Sequence, residues 1–259
     1  MNMDLHQHFR REEHSFVDQV MSWKEQVESN YAPKLTDFLD PREQKIVEMI
    51  IGANLEVKVQ FFGGAESVER KRAFIYPDYY SVEKEDFQIS LYELVYANKF
   101  VSIEHRQILG SMMSLGLKRG KFGDILIEGE TIQLFLANEV SDYISMQFES
   151  VGRSKVSLKA RRLEEAIQMK EQWNEYSTTV SSLRLDAMIA AAHNISRQKS
   201  QTLIAGGVVK VNWMTIENPS FECKEDDVLS VRGYGRAKLS SIDGKTKKDK
   251  WRIVVEKHQ

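Results

Sequence analysis

The stretch from Leu183 to Arg236, LRLDAMIAAAHNISRQKSQTLIAGGVVKVNWMTIENPSFECKEDDVLSVRGYGR, constrains this chain more than any other. Ser182 is placed to cap a helix running to about Ala191, with Leu185, Met188 and Ile189 at the three- and four-residue steps of one face. Ser196 caps a second helix whose apolar side is Leu203 and Ile204, and Gly206-Gly207 closes it where positive φ is tolerated. Val208–Val211 then alternates as a strand, Asn212-Trp213 turns tightly, and a strand at Val228–Val231 ends in Arg232-Gly233-Tyr234-Gly235-Arg236. The sum is a compact helix–helix–strand unit.

Arg184, Arg197, Lys199, Gln201, Lys210, Asn212, Arg232 and Arg236 are left on the polar side of that unit, with Ser196 at a helix start. Scattered Lys and Arg usually mean no more than a solvated face. These sit at the helix starts and turns of one small module, where forked cations and exposed backbone N–H groups can meet phosphate together. Charge along the chain points the same way. Residues 181–259 carry 14 Lys and Arg against 9 Asp and Glu, whereas residues 1–152 carry 16 against 25. A basic last third beside an acidic body suggests a module that binds polyanions, with chance segregation as the rival explanation.

The remainder reads as two further parts, in a chain long enough at 259 residues for two or three domains. Residues 1–52 look helical: Phe16, Val20, Trp23, Val27 and Tyr31 share one face, and a second helix is expected from Asp40 with Pro41 in its first turn, closed by Gly52. Residues 53–160 alternate between strand and helix signals. Strands are expected from Leu55, at Arg72–Tyr76, Phe87–Val95 and Lys155–Lys159, helices at Ile103–Leu115 and Asn138–Phe148, and a hairpin across Glu128-Gly129-Glu130. Residues 161–180 read as a charged linker or a lead-in strand, and 181–259 as the final domain. The fold class expected is α+β.

The module at 183–236 resembles the S4 RNA-binding domain, named after a small-subunit ribosomal protein. The match rests on Arg184-Leu185-Asp186, Ile195-Ser196-Arg197, Leu203-Ile204, Gly207 to Asn212 and Asp227 to Val231, in the expected order. The resemblance implies RNA contact through Ser196, Arg197, Lys199, Gln201 and Lys210; Val208 stands where the family often has Arg. A further resemblance covers most of the rest. His105 to Gly110, Leu115 to Gly120, Gly123-Asp124-Ile125, Tyr31-Ala32-Pro33 and Phe38 to Pro41 look like the YlmH-type proteins of the Gram-positive cell-division gene cluster. That likeness implies helices first, an RNA-recognition-motif-like α/β domain lacking the usual exposed aromatic pair, and then the S4 domain. Its implied partners are structured RNA (ribosomal RNA and tRNA) on the large ribosomal subunit, and some S4 proteins of similar architecture hold stalled subunits carrying peptidyl-tRNA. His105, Arg106, Lys118, Arg119 and Lys121 form another basic cluster, either a further RNA contact or complements to a helix C-terminus.

Signals for chemistry are weak. The Arg184-Leu185-Asp186 triplet also marks catalytic aspartates of pseudouridine synthases, yet here it opens a helix, where Asp186 is expected to bind backbone N–H groups. Gly244-Lys245-Thr246 lacks the first glycine of a phosphate-binding loop, because position 239 is Leu. His6, His8 and His14 have no carboxylate spacing for a metal, His193 lacks a triad order, and the lone Cys223 excludes an internal disulfide and a cysteine-built zinc site. If the chain modified RNA, Asp124 and His105 would be its acid–base candidates. The expectation is a cytoplasmic, monomeric, non-enzymatic RNA-binding factor without cofactor, metal or membrane span; a modifying enzyme or a septal adaptor are the alternatives.

Overall fold

The N-terminal region is not purely helical. A first helix α1 (His14–Asn30) ends at Tyr31, which adopts a left-handed conformation with φ 51°, and Pro33 then leads into a strand β1 (Lys34–Leu39). Helix α2 (Pro41–Ile51) starts as its sequence predicts: Asp40 accepts the Glu43 N–H at 2.9 Å while Glu43 accepts the Asp40 N–H at 2.7 Å. The computed structural model describes residues 5–52, 56–66, 68–97, 101–168 and 173–258; Leu55, the predicted start of the next strand, lies outside them.

Strands β2 (Val57–Phe62) and β3 (Lys71–Pro77) complete an antiparallel sheet in the order β1-β3-β2. Val17, Val20, Val27, Ile46, Val47 and Ile51 from the two helices pack on Val57, Ala73 and Ile75 of this sheet. The predicted boundary between residues 52 and 53 therefore cuts through a single core. Two helices with one strand leave an apolar face that only β2 and β3 can cover.

The next elements are β4 (Ile89–Tyr96), α3 (His105–Met113), β5 (Phe122–Glu128), β6 (Thr131–Ala137), α4 (Asn138–Gln147), β7 (Ser150–Val151) and β8 (Ser154–Arg161), in a sheet ordered β5-β6-β4-β8-β7. Leaving aside the two-residue β7, the succession is β-α-β-β-α-β with the first and third strands adjacent in the centre, the arrangement expected from the resemblance. Ile108, Met112 and Ile144 on α3 and α4 cover one face, against Leu94, Ile132, Leu134 and Leu136. The opposite face, with Ile89, Leu91, Leu126 and Phe135, packs on Phe38, Ala65, Val68 and Phe74 of the N-terminal part. Glycine permits that approach. A Cβ on Gly123 would lie 2.9 Å from the Phe38 ring, and one on Gly64 (φ +103°) 2.4 Å from the Phe135 ring.

Residues 170–259 form a unit separate from residues 1–169. It contains β9 (Trp173–Val180), α5 (Leu185–His193), α6 (Arg197–Ala205), β10 (Val209–Val211), β11 (Met214–Thr215), β12 (Val228–Val231), β13 (Gly235–Lys245) and β14 (Trp251–His258). The sheet order is β11-β10-β12-β13-β14-β9. Of residues 161–180, read as a linker or a lead-in strand, Trp173–Val180 are the edge strand β9, which pairs antiparallel with β14 from Trp173–His258 to Val180–Trp251. The long β13–β14 hairpin is absent from the sequence-based expectation; its turn lies at residues 246–250, past Asp243-Gly244, which stays within β13. Leu185, Met188, Ile189 and Ile204 bury against Val209, Val211, Leu229, Val231, Leu239, Ile253 and Val255.

Candidate nucleic-acid interface

Helix α5 begins two residues later than predicted. Arg184, in an extended conformation, is its first flanking residue, and Ser182 Oγ accepts the Arg184 N–H at 3.3 Å rather than capping the helix. The helix-start amides are already engaged: Leu185 N–H donates to the Phe221 carbonyl at 2.8 Å and Asp186 N–H to that of Pro219 at 3.2 Å. These contacts leave α5 without the open amides that a phosphate would use. Helix α6 does start as predicted, with Ser196 Oγ accepting the Lys199 N–H at 3.2 Å.

The centre of the site is Asp186. It does not cap its helix, as its place in the sequence suggests it should; its carboxylate is fully buried and binds three side chains. Arg184 donates to both carboxylate oxygens at 3.2 Å, Arg197 at 3.0 and 3.2 Å, and Gln201 at 2.7 Å. Burial alone would raise its pKa, but the hydrogen bonds from Arg184, Arg197 and Gln201 hold it well below the usual carboxylate range. One carboxylate between two guanidiniums leaves a net positive charge. Arg184 and Arg197 keep 40% and 47% of their side-chain surface exposed, so their remaining N–H groups face solvent from a fixed position. A guanidinium held in a bidentate pair loses little further freedom on meeting phosphate.

Lys199 is exposed on α6, its Nζ 5.4 Å from the centre of the Tyr234 ring, and Arg232 is exposed in the β12–β13 turn. Lys210 and Arg236 are placed differently. Val209 and Val211 point into the core, so Lys210 between them points away from α5 and α6. Lys210 pairs with Ser230 and Ser230 with Arg236, which sets the two cations in one row across three strands on the back of the sheet. Asn212 leaves the contact set altogether. It is buried, donates to Asp227 at 2.8 Å and accepts the Val228 N–H at 2.9 Å. With Trp213 it supplies two positive φ angles, 47° and 66°, the geometry of a type I′ hairpin turn.

The basic cluster of the first unit is divided by the fold. His105 and Arg106 are exposed at the N-terminus of α3, where positive charge opposes the helix dipole, and Arg106 lies 2.7 Å from Glu104. Lys118 is exposed beyond the far end of that helix. Arg119 turns inward to the carbonyls of Phe122 and Gly123, and burial lowers its pKa to about 10. Lys121 joins Asp37 at 2.5 Å and Glu139 at 3.0 Å. Arg119 and Lys121 are therefore bound within the first unit and not presented to a partner. Asp124 is half-buried and accepts the Glu69 and Arg70 N–H groups, far from the role of a free acid–base group.

The sheet face on which RNA-recognition motifs stack bases is closed. Phe135 on the central strand β6 is 1% exposed under the N-terminal part. Gln133 beside it is bound on both sides, donating to the Glu165 carbonyl at 3.0 Å and accepting the Ile167 N–H at 2.7 Å. No helix among the described residues is long and apolar enough to cross a membrane, and no group of three or more His, Cys, Asp and Glu among them is arranged to hold a metal.

A small sheet backing two short helices, with paired arginines locked on a buried aspartate, defines an S4-type RNA-binding module carried by a larger α+β body. Comparison with known proteins agrees domain by domain. The family described as "YlmH, N-terminal" matches residues 12–80, the "Putative RNA-binding domain in YlmH" matches 82–165, and the S4 domain matches 183–229. The chain is 45% identical, over 99% of its own length and 99% of the relative's, to the "Ribosome-associated protein quality control protein P2" of Bacillus subtilis (strain 168). It belongs to the YlmH family. A solved structure, "Cell division protein ylmH from Streptococcus pneumoniae", is 36% identical with a TM-score of 0.55, covering 62% of this chain and 97% of that one.

Proposed function

We propose that this protein is a non-enzymatic RNA-holding factor of the ribosome. Its S4 module grips structured ribosomal RNA or tRNA on the large subunit and acts in quality control of stalled peptidyl-tRNA complexes. The observation that carries the reading is the Arg184–Asp186–Arg197 arrangement. Two guanidiniums are fixed by one buried carboxylate and still face solvent, which suits phosphate recognition. The name of the Bacillus subtilis relative supports the ribosomal setting.

An Arg197→Glu/Lys199→Glu double variant should lose co-sedimentation with large ribosomal subunits, and the salt dependence of binding should flatten, because each lost phosphate contact removes roughly 0.7–0.9 from the slope of log K against log salt. Normal co-sedimentation by that variant refutes the proposal. The name of the pneumococcal relative favours another reading, a septal adaptor. Septal enrichment that survives loss of the basic face would support that reading instead.

A further inference from the structure

The S4 module carries an aromatic residue in the middle of its cations that the phosphate-holding reading does not use. Tyr234 sits in the turn between β12 and β13, whose closing pair is Val231 and Gly235. Its N–H donates to the Val231 carbonyl at 2.9 Å, and the Arg232 N–H donates to the Val208 carbonyl at 3.1 Å, tying the turn to the segment that follows α6. Gly233 and Gly235 on either side have φ of +84° and +90°, and a Cβ on either would meet nothing within 4 Å. These glycines are therefore required by the path of the backbone, and the space around them is open. The path turns the Tyr234 ring toward the helices. One side makes a T-shaped contact with His193, at 5.8 Å between ring centres and 62° between planes, and Lys199 Nζ lies over the ring, 5.4 Å from its centre, where a stacked base would displace it toward the phosphates.

His193 is an unusual support. It is buried, and neither ring nitrogen has a hydrogen-bond partner among the described residues. A buried imidazole without partners costs free energy, so its retention beneath a half-exposed tyrosine calls for a reason other than core packing. Its angled contact limits how the Tyr234 ring can tilt.

A fixed, partly exposed aromatic ring flanked by mobile cations is how proteins take up an unpaired base, the ring stacking on the base while the cations meet its phosphates. We infer that Tyr234 is a stacking site for one extruded nucleotide, with Lys199 and Arg232 on the adjoining phosphates and His193 as the positioning residue behind it. This rests on the RNA-holding reading and narrows its substrate class: RNA helices interrupted by a bulge or unpaired base, over continuous duplex.

The test uses the full-length chain and two blunt RNA duplexes of equal length, one continuous and one with a single bulged adenosine, titrated at several salt concentrations. The wild type should bind the bulged duplex about tenfold more tightly than the continuous one, within the range of one base stack. Tyr234→Leu should lose that margin with an unchanged salt slope; Tyr234→Phe should keep it; Lys199→Gln should lower the slope by about one ion on both duplexes. Thermal unfolding of each variant confirms an intact fold, and the Phe variant stands in if Leu does not fold. Retention of the margin by folded Tyr234→Leu, or its loss in Tyr234→Phe, overturns the stacking site while leaving RNA holding intact. Failure of the wild type to bind either duplex removes the RNA-holding reading and this inference with it.

Discussion

Arg119 and Lys121 in the N-terminal unit resemble Arg184 and Arg197 in the C-terminal one as far as sequence goes: all are basic residues beside a helix or turn. Their surroundings differ in one respect. Around Lys121 there are two carboxylates, Asp37 and Glu139, the second shared with Arg72, so acids and bases balance, and Arg119 is enclosed by backbone carbonyls. Around Asp186 there are two guanidiniums for one carboxylate, and both remain near half exposed. The first arrangement neutralises charge inside a body; the other fixes surplus charge at a surface. A count of Lys and Arg does not distinguish them, whereas the local ratio of acids to bases does.

The contrast can be broken most forcefully at the buried sheet face. Phe135→Ala should destabilise the first unit by about 3–5 kcal/mol, as for other large aromatic deletions, with little change in RNA affinity. A parallel collapse of RNA binding in a chain whose C-terminal unit still unfolds normally would put the first unit in the interface. Protonation separates the units next. Burial and the nearby Lys257 charge push His193 down to about 4, so the unfolded chain binds its proton first, and the C-terminal unit should lose about 3 kcal/mol as pH falls from 6.5 toward 4. Burial and the neighbouring Asp40 raise Glu43 to about 7; its neutral form is favoured by folding, so the first unit should weaken as pH rises from 4.5 through 7. Denaturant titrations across that range should give slopes of opposite sign, flattened by His193→Leu and Glu43→Gln respectively.

Asp186→Ala sharpens the comparison at the interface itself. It makes the surface more positive, yet RNA affinity should fall roughly tenfold because the guanidiniums lose their fixed geometry. Stability should fall by about 2 kcal/mol, less than for a fully buried pair because both arginines can reach water. Tighter RNA binding by that variant would mean that charge, not placement, sets the affinity. Smallest of all, Lys121→Ala should cost under about 1 kcal/mol and leave RNA binding unchanged, since its partners are partly exposed.

What the sequence makes legible is local. The Asp40–Glu43 cap, the Gly129 hairpin, the Ser196 cap and the Asn212-Trp213 turn are each written in adjacent residues. The strand Lys34–Leu39 escapes a sequence reading because it is six residues between two strong helices, and its identity is decided by pairing with β3 far along the chain. The role of Asp186 escapes it for a similar reason. Its partners lie 2, 11 and 15 residues away, and only the packing of α5 on α6 brings them to one carboxylate. Lys210 and Arg236 fall to the wrong surface in such a reading because alternation along a strand gives two faces without saying which one the helices cover.

Strand β9 is made before the helices it supports, yet β14, its sheet neighbour among the described residues, is made after every other strand described in the unit. About seventy residues separate Val180 from Trp251, which at ribosomal speed is roughly 4–14 s of synthesis. Throughout that interval Trp173–Val180 lacks the strand it pairs with, and an unpaired edge is the kind that joins other chains. A nascent or truncated copy lacking Trp251–His258 would leave two strands open, β9 and β13, and would be prone to aggregate before it could bind anything.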